Sequence, residues 1–119
     1  MYKEKTQFKF KSDRYAKARG SSCFYAILCS KCNQPVALYQ KDGPGALLRM
    51  YLDRIFAPPA LADLQHQVTT KTDMPNMACP KCEALIGIPM VYESEKRLAF
   101  RMVRGSFARK GNDGVFPPV

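Results

Sequence analysis

Several residue types and patterns that carry common functions are missing or scarce in this chain. Only one histidine occurs, His66, and it is followed by Gln67 and Val68. The His-x-Glu half of the zinc-deaminase signature is therefore absent. A closed four-cysteine metal site has no vacancy for His66, so an exposed or locally bonded role is expected for it. No segment approaches about 20 apolar residues, so no membrane span is expected. The basic N-terminus is followed by no apolar run, so no secretory leader is expected either. No Gly-x-x-x-x-Gly-Lys frame appears, which removes the P-loop nucleotide-binding class. Asp42-Gly43-Pro44-Gly45 is a glycine-bearing turn that could offer backbone donors to an anion, but its composition is that of a plain turn. Low-complexity blocks are absent. No catalytic residue and no organic-cofactor site is expected. Cys23 and His66 are the sole unclaimed nucleophile and base, and neither has a local partner that would activate it.

What is present is cysteine in a pattern. Of five cysteines, four fall in two Cys-x-x-Cys knuckles, Cys29-Ser30-Lys31-Cys32 and Cys79-Pro80-Lys81-Cys82, and 46 residues separate them. A two-residue spacer lets one turn aim two sulfurs at one ion, and two such turns complete a tetrahedral shell. Cys29, Cys32, Cys79 and Cys82 are the predicted ligands of one structural Zn²⁺. Iron is the main rival, since an all-sulfur tetrahedron also accepts it, and a dithiol redox pair is a further one. The separation is too long for a simple finger, so the chain reads as a domain clamped at its metal. Lys31 and Lys81 occupy the same place in each knuckle. Their charge can offset the formal −2 of Zn²⁺ with four thiolates, or they can be plain surface lysines. Thiols held by metal rather than paired fit a reducing cytoplasmic or nuclear compartment. Cys23 is expected as a buried, inert thiol.

A chain of 119 residues with 46% apolar content is one globular domain by size. The pattern predicts a mainly β fold. Antiparallel sheets are clamped by the four-cysteine site, with one or two short helical segments. Residues 23–28 and 35–40 read as strands on either side of the first knuckle. Residues 46–56 fit either a helical face or an alternating strand, and a strand leading into a helical turn is preferred. Pro58-Pro59 precedes a short helix over 60–67, and 69–76 is a loop. The apolar run 85–93 is interrupted by Gly87 and Pro89, which predicts a bulged strand or two short ones. In 97–104 the alternation puts Leu98, Phe100 and Met102 on one face and Arg97, Ala99 and Arg101 on the solvent side. The division expected is a basic N-terminal arm over 1–20, a zinc-stabilised β domain over 21–107 and a C-terminal tail over 108–119.

The net charge is +9, and residues 1–20 alone carry seven Lys and Arg against Glu4 and Asp13. Such an arm can condense on nucleic acid or serve as a solubilising tail. Arg97, Arg101, Arg104, Arg109 and Lys110, interleaved with Phe100 and Phe107, would extend a nucleic-acid surface.

Taken together, Cys79-Pro80-Lys81-Cys82, Leu85, Gly87, Tyr92 and Gly105-Ser106-Phe107 resemble the second half of a β-tent zinc domain. That group includes the Yippee-like proteins and the thalidomide-binding module of cereblon. The likeness spans roughly residues 23–107, and Cys29, Cys32, Cys79 and Cys82 match the four ligand positions. A zinc-ribbon or rubredoxin-like arrangement with a long insertion stays open. The resemblance implies two antiparallel sheets joined at a zinc, but no single function. Cereblon-type recognition uses a tryptophan cage, and this chain has no Trp. The related sulfoxide reductases need a reactive cysteine in the late strands, and none follows Cys82. The function expected is that of a non-catalytic zinc module binding protein or a small ligand, with nucleic-acid binding as the alternative. Oligomeric state is left open.

Overall fold

The computed structural model describes residues 6–118. Its body is two four-stranded antiparallel sheets, with a two-stranded ribbon laid across one of them. The first sheet holds β2 (Ser22–Cys29), β3 (Pro35–Asp42), β5 (Ile55–Ala57) and β9 (Phe107–Asn112), in the order β5-β3-β2-β9. The second holds β4 (Arg49–Tyr51), β6 (Met77–Ala78), β7 (Leu85–Tyr92) and β8 (Arg97–Met102), in the order β4-β8-β7-β6. The ribbon pairs β1 (Thr6–Gln7) with β10 (Val115–Phe116). Three short helices, α1 (Arg14–Arg19), α2 (Pro59–Ala62) and α3 (Leu64–Gln67), sit between strands. The mainly β class, the antiparallel sheets and the few short helices are as the sequence predicts.

Residues 46–57 take both of their expected characters in turn. Arg49–Tyr51 is a strand of the second sheet, Leu52–Arg54 is a 3₁₀ turn, and Ile55–Ala57 is a strand of the first sheet. The segment thus steps from one sheet to the other, which is why neither a helical nor a strand period runs through it. Pro58 and Pro59 then start α2, where a missing N–H costs nothing.

Residues 85–92 form one continuous strand rather than two. Pro89 is tolerated because β6 pairs only as far as Gly87, so at Pro89 the strand has a partner on one side alone. Gly87 has a different reason. A Cβ there would lie 3.0 Å from both Met77 Cε and Phe100 Cβ. Met77 is a flexible tip, but Phe100 Cβ is fixed to the neighbouring strand. We expect Gly87→Ala to lower stability by about 1–3 kcal/mol through overpacking. A chemical-denaturation midpoint equal to that of the parent protein would refute this.

Between the sheets lies the main core. Ile27, Ala37 and Tyr39 enter from the first sheet, and Met50, Ile86 and Phe100 from the second. Each fully buried large side chain contributes about 1.5–3 kcal/mol of transfer free energy. Tyr39 also ties the layers together, because its hydroxyl accepts the backbone N–H of Tyr51 at 2.9 Å. Burial pushes the Tyr39 phenol well above its ordinary range. A second cluster, Phe24, Leu38, Ala57 and Phe116, packs with Phe8 and Phe56 apart from the main core. Phe56 meets Phe8 and Phe24 edge-on, with centroids 5.7 and 5.3 Å apart.

Segments near both ends of the described residues are part of this packing. Lys11 donates its backbone N–H to Gln40 Oε1 at 2.8 Å, and its carbonyl accepts from Gln40 Nε2 at 2.9 Å. Asp13 caps α1 by accepting from the N–H groups of Tyr15 and Ala16. Within the expected tail over 108–119, residues 108–112 continue β9 beside β2, and Val115–Phe116 pairs with Thr6–Gln7.

One expectation is corrected outright. Arg97 and Ala99 are not on a solvent face but 6% and 0% exposed. The Arg97 guanidinium lies 3.8 Å from the centroid of the Tyr51 ring and 4.0 Å from that of Tyr15. It forms ion pairs with Asp53 at 2.6 Å and Glu95 at 3.0 Å. Phe100 is fully buried. The basic stripe proposed from alternation therefore loses both its first arginine and its first aromatic.

Candidate metal centre

The two knuckles are built alike. In the first, Asn33 N–H returns to the Cys29 carbonyl at 2.7 Å, and Cys29 N–H bonds the Gln34 carbonyl at 2.9 Å. In the second, Glu83 N–H returns to the Cys79 carbonyl at 2.9 Å, and Cys79 N–H bonds the Ala84 carbonyl at 2.9 Å. Asn33 and Glu83 both have φ of 65°, the left-handed turn that closes each knuckle. Asparagine adopts this conformation readily, whereas glutamate does so rarely. The weak internal repeat read from the sequence is thus a repeat of backbone geometry.

The first knuckle joins β2 to β3 in the first sheet, and the second joins β6 to β7 in the other. The thiols therefore meet where the two sheets converge. Cys29, Cys32, Cys79 and Cys82 have their sulfurs all within 4.8 Å of one another. Cys29 Sγ is 3.6 Å from Cys82 Sγ, and Cys32 Sγ is 3.5 Å from Cys79 Sγ. A tetrahedral ion with metal–sulfur bonds of about 2.3 Å would place its sulfurs about 3.8 Å apart. Spacing, donor chemistry and geometry agree that these four residues can hold a metal ion.

Burial and hydrogen bonding divide the four thiols. Cys29 and Cys79 are buried, and Cys32 and Cys82 are half-buried. Burial opposes ionisation of Cys79, but the N–H groups of Cys82 and Lys81, 3.5 and 3.4 Å from its sulfur, outweigh it and hold the thiol at about 6. Cys29 is lowered likewise, chiefly by the N–H of Cys32. For Cys32 the Gln34 N–H favours the thiolate, but burial and the neighbouring sulfurs prevail and push it up to about 11. Four thiolates cannot share this space without a cation to compensate them.

The turn between β8 and β9 braces the first knuckle. Ser30 donates its N–H to the Ser106 carbonyl at 3.0 Å and its hydroxyl to the Gly105 carbonyl at 2.7 Å. The likeness seen in Gly105-Ser106 thus corresponds to contacts at the cluster, though no spacing rule linked these residues to Ser30. Lys31 and Lys81 are exposed. His66 is exposed on α3, and neither it nor the half-buried Cys23 belongs to the sulfur cluster. Among the described residues, no other group of histidine, cysteine and acidic side chains gathers in this way. The Asp42–Gly45 turn presents carbonyls rather than N–H donors to its cations. Lys41 Nζ binds the Gly43 and Pro44 carbonyls, and Arg109 binds that of Gly45. Gly43 N–H is itself taken by the Ser21 carbonyl.

No family model, curated protein or solved structure matches the chain. No helix among the described residues is long and apolar enough to cross a membrane.

Proposed function

We propose that this chain is a zinc-clamped binding module of cytoplasmic type. In this reading Cys29, Cys32, Cys79 and Cys82 hold one structural Zn²⁺, and a surface fixed by the clamp binds protein or a small ligand without catalysis. The carrying observation is the convergence of four sulfurs from two sheets within 4.8 Å. Four thiolates close the shell, and a structural rather than catalytic ion is what a closed shell implies. Zinc is preferred to iron because it needs no redox partner and prefers this donor set. The β-tent likeness is supported by two sheets meeting at paired knuckles far apart in sequence.

Native mass spectrometry and elemental analysis of the full chain test the reading. One zinc per chain, with four thiols protected from alkylation until a chelator is added, is the expected result. A red, iron-loaded protein, or a metal-free one with Cys29–Cys32 and Cys79–Cys82 disulfides, would sink it.

The nucleic-acid alternative keeps exposed Arg101, Arg104, Arg109 and Lys110. It loses Arg97 and Phe100 to the interior, so the observations favour the small-ligand or protein reading.

A further inference from the structure

A cavity of about 310 Å³ opens between the end of α1, the Gly43–Gly45 turn and β4. That volume lies at the lower end of the range for small-ligand sites. Its walls carry three cationic side chains, Arg19, Lys41 and Arg49, together with Tyr51, Leu47 and Leu48. The one acidic residue on the wall, Asp42, is already engaged by Arg54, Ser22 and Gln40.

The cations are held in place but incompletely paired. Arg49 stacks on the Tyr92 ring, 4.1 Å from its centroid, and Nη1 reaches the Tyr51 hydroxyl at a long 3.4 Å. Among the described residues, no carboxylate forms an ion pair with Arg49. Lys41 Nζ has only the two turn carbonyls, at 2.8 and 3.1 Å. Burial, and then the charge of Arg109, lowers the Lys41 pKa, as expected where positive charge is gathered and poorly hydrated. Arg19 uses Nη2 on Glu95, while its Nη1 has no hydrogen-bond partner. Its position is set by the turn. A Cβ on Gly43 would come within 3.0 Å of the Arg19 carbonyl oxygen and 3.1 Å of its Cβ, so the close approach needs glycine. Guanidinium groups fixed by aromatic rings, with a phenol beside them, suit a planar or tetrahedral oxyanion. The other side of the cavity is apolar, and Leu48 is 62% exposed there.

From this arrangement we infer that the cavity binds a small organic anion, its oxyanion head at Arg49, Arg19 and Tyr51 and a short apolar body against Leu47 and Leu48. This deepens the binding-module reading and rests on it for the intact, metal-loaded fold.

The experiment is a titration of the zinc-loaded full chain, followed by amide chemical shifts, with hexanoate, acetate and inorganic phosphate. Saturable shifts confined to the end of α1 around Arg19 and to residues 41–51 are expected. Hexanoate should bind several-fold more tightly than acetate, since the added methylenes leave water. Arg49→Gln should weaken hexanoate about tenfold or more. Leu48→Ser should remove most of the advantage over acetate. Arg101→Gln, at the cross-strand neighbour of Arg49 but off the cavity wall, should weaken binding far less than Arg49→Gln, since it removes a nearby charge and no contact. Equal weakening by Arg101→Gln would mean diffuse charge attraction and overturn the site. Saturation by phosphate with no response to hexanoate would overturn the apolar half of the assignment. A sample with one zinc per chain that binds no probe overturns this inference alone. A sample that folds without zinc overturns the clamp beneath it.

Discussion

Cys79→Ala and Cys32→Ala should each abolish cooperative folding, while Cys23→Ala should cost no more than about 1 kcal/mol. The contrast follows from what each thiol joins. Cys79 and Cys32 come from different sheets and lie 3.5 Å apart at the end of the main core. A structural zinc contributes about 10–16 kcal/mol of apparent binding free energy to small folds. A domain of this kind has about 5–15 kcal/mol of net stability. Losing most of a metal contribution of that size would therefore consume all of it. Removing one ligand also leaves the remaining thiols crowded with no compensating charge. Cys23, by contrast, is half-buried, and its sulfur makes a 3.9 Å contact to the Lys41 carbonyl and a side-chain contact with the Tyr25 hydroxyl, with no part in the cluster. Thermal melts by circular dichroism, with amide dispersion by NMR, read the difference. The same melt after a strong chelator should match the Cys79→Ala profile. A Cys79→Ala protein that melts cooperatively near the parent temperature would refute the clamp.

What could be read in the sequence was what is local. Two residues between cysteines define each knuckle whatever the rest of the chain does, so the four-sulfur cluster could be anticipated before any fold was known. Strands β2 and β3 flank the first knuckle closely enough that their pairing is a hairpin. Features made by distant pairing were not legible in the same way. Phe107-Ala108-Arg109-Lys110-Gly111-Asn112 shows no alternation, because β9 is an edge strand whose middle residues are exposed. Its strand character comes from β2, about 80 positions upstream by register. Of the two acids that hold Arg97, Glu95 is its near neighbour but Asp53 lies 44 positions upstream, so the alternation around Arg97 did not announce that it would be buried. Arg54 left a faint signal: with Asp53 it interrupts an otherwise apolar run from Met50 to Phe56. A charged residue at a core position of such a run calls for a buried partner. The cavity at Arg19, Lys41 and Arg49 was hidden for a related reason. The turn that shapes it was visible, but the side chains that charge it come from three separate elements.

Arg54→Met should lower stability by about 3–5 kcal/mol, the usual cost of leaving a buried charge without its partner. Arg54 is 1% exposed. Its Nε bonds Asp42 at 2.8 Å and its Nη2 bonds Asp13 at 2.5 Å, while Asp42 is itself only 4% exposed. One guanidinium thus ties the end of β3 and the cap of α1 to the turn between β4 and β5. Methionine fills much of the volume, so the loss is one of charge pairing rather than of packing. Adding Asp42→Asn should recover part of it, because an amide carries no charge to strand. The acid limb of stability provides a second reading. The Arg54 hydrogen bond is the main reason that Asp13 titrates at about 2 rather than at its ordinary 3.8. Asp42 and Glu95 are also lowered, because bonds from their hydroxyl, amide and arginine partners outweigh the burial that opposes them. A carboxylate with a depressed folded-state pKa adds stability above its unfolded value and loses it as pH falls through the folded one. The parent protein should therefore lose stability steadily between about pH 4 and pH 2. Arg54→Met should start lower and fall less steeply over that window, since Asp13 and Asp42 return toward ordinary values. An unchanged acid slope, or a double variant no more stable than the single, would mean that Arg54 acts as packing and not as the ion-pair centre of this fold.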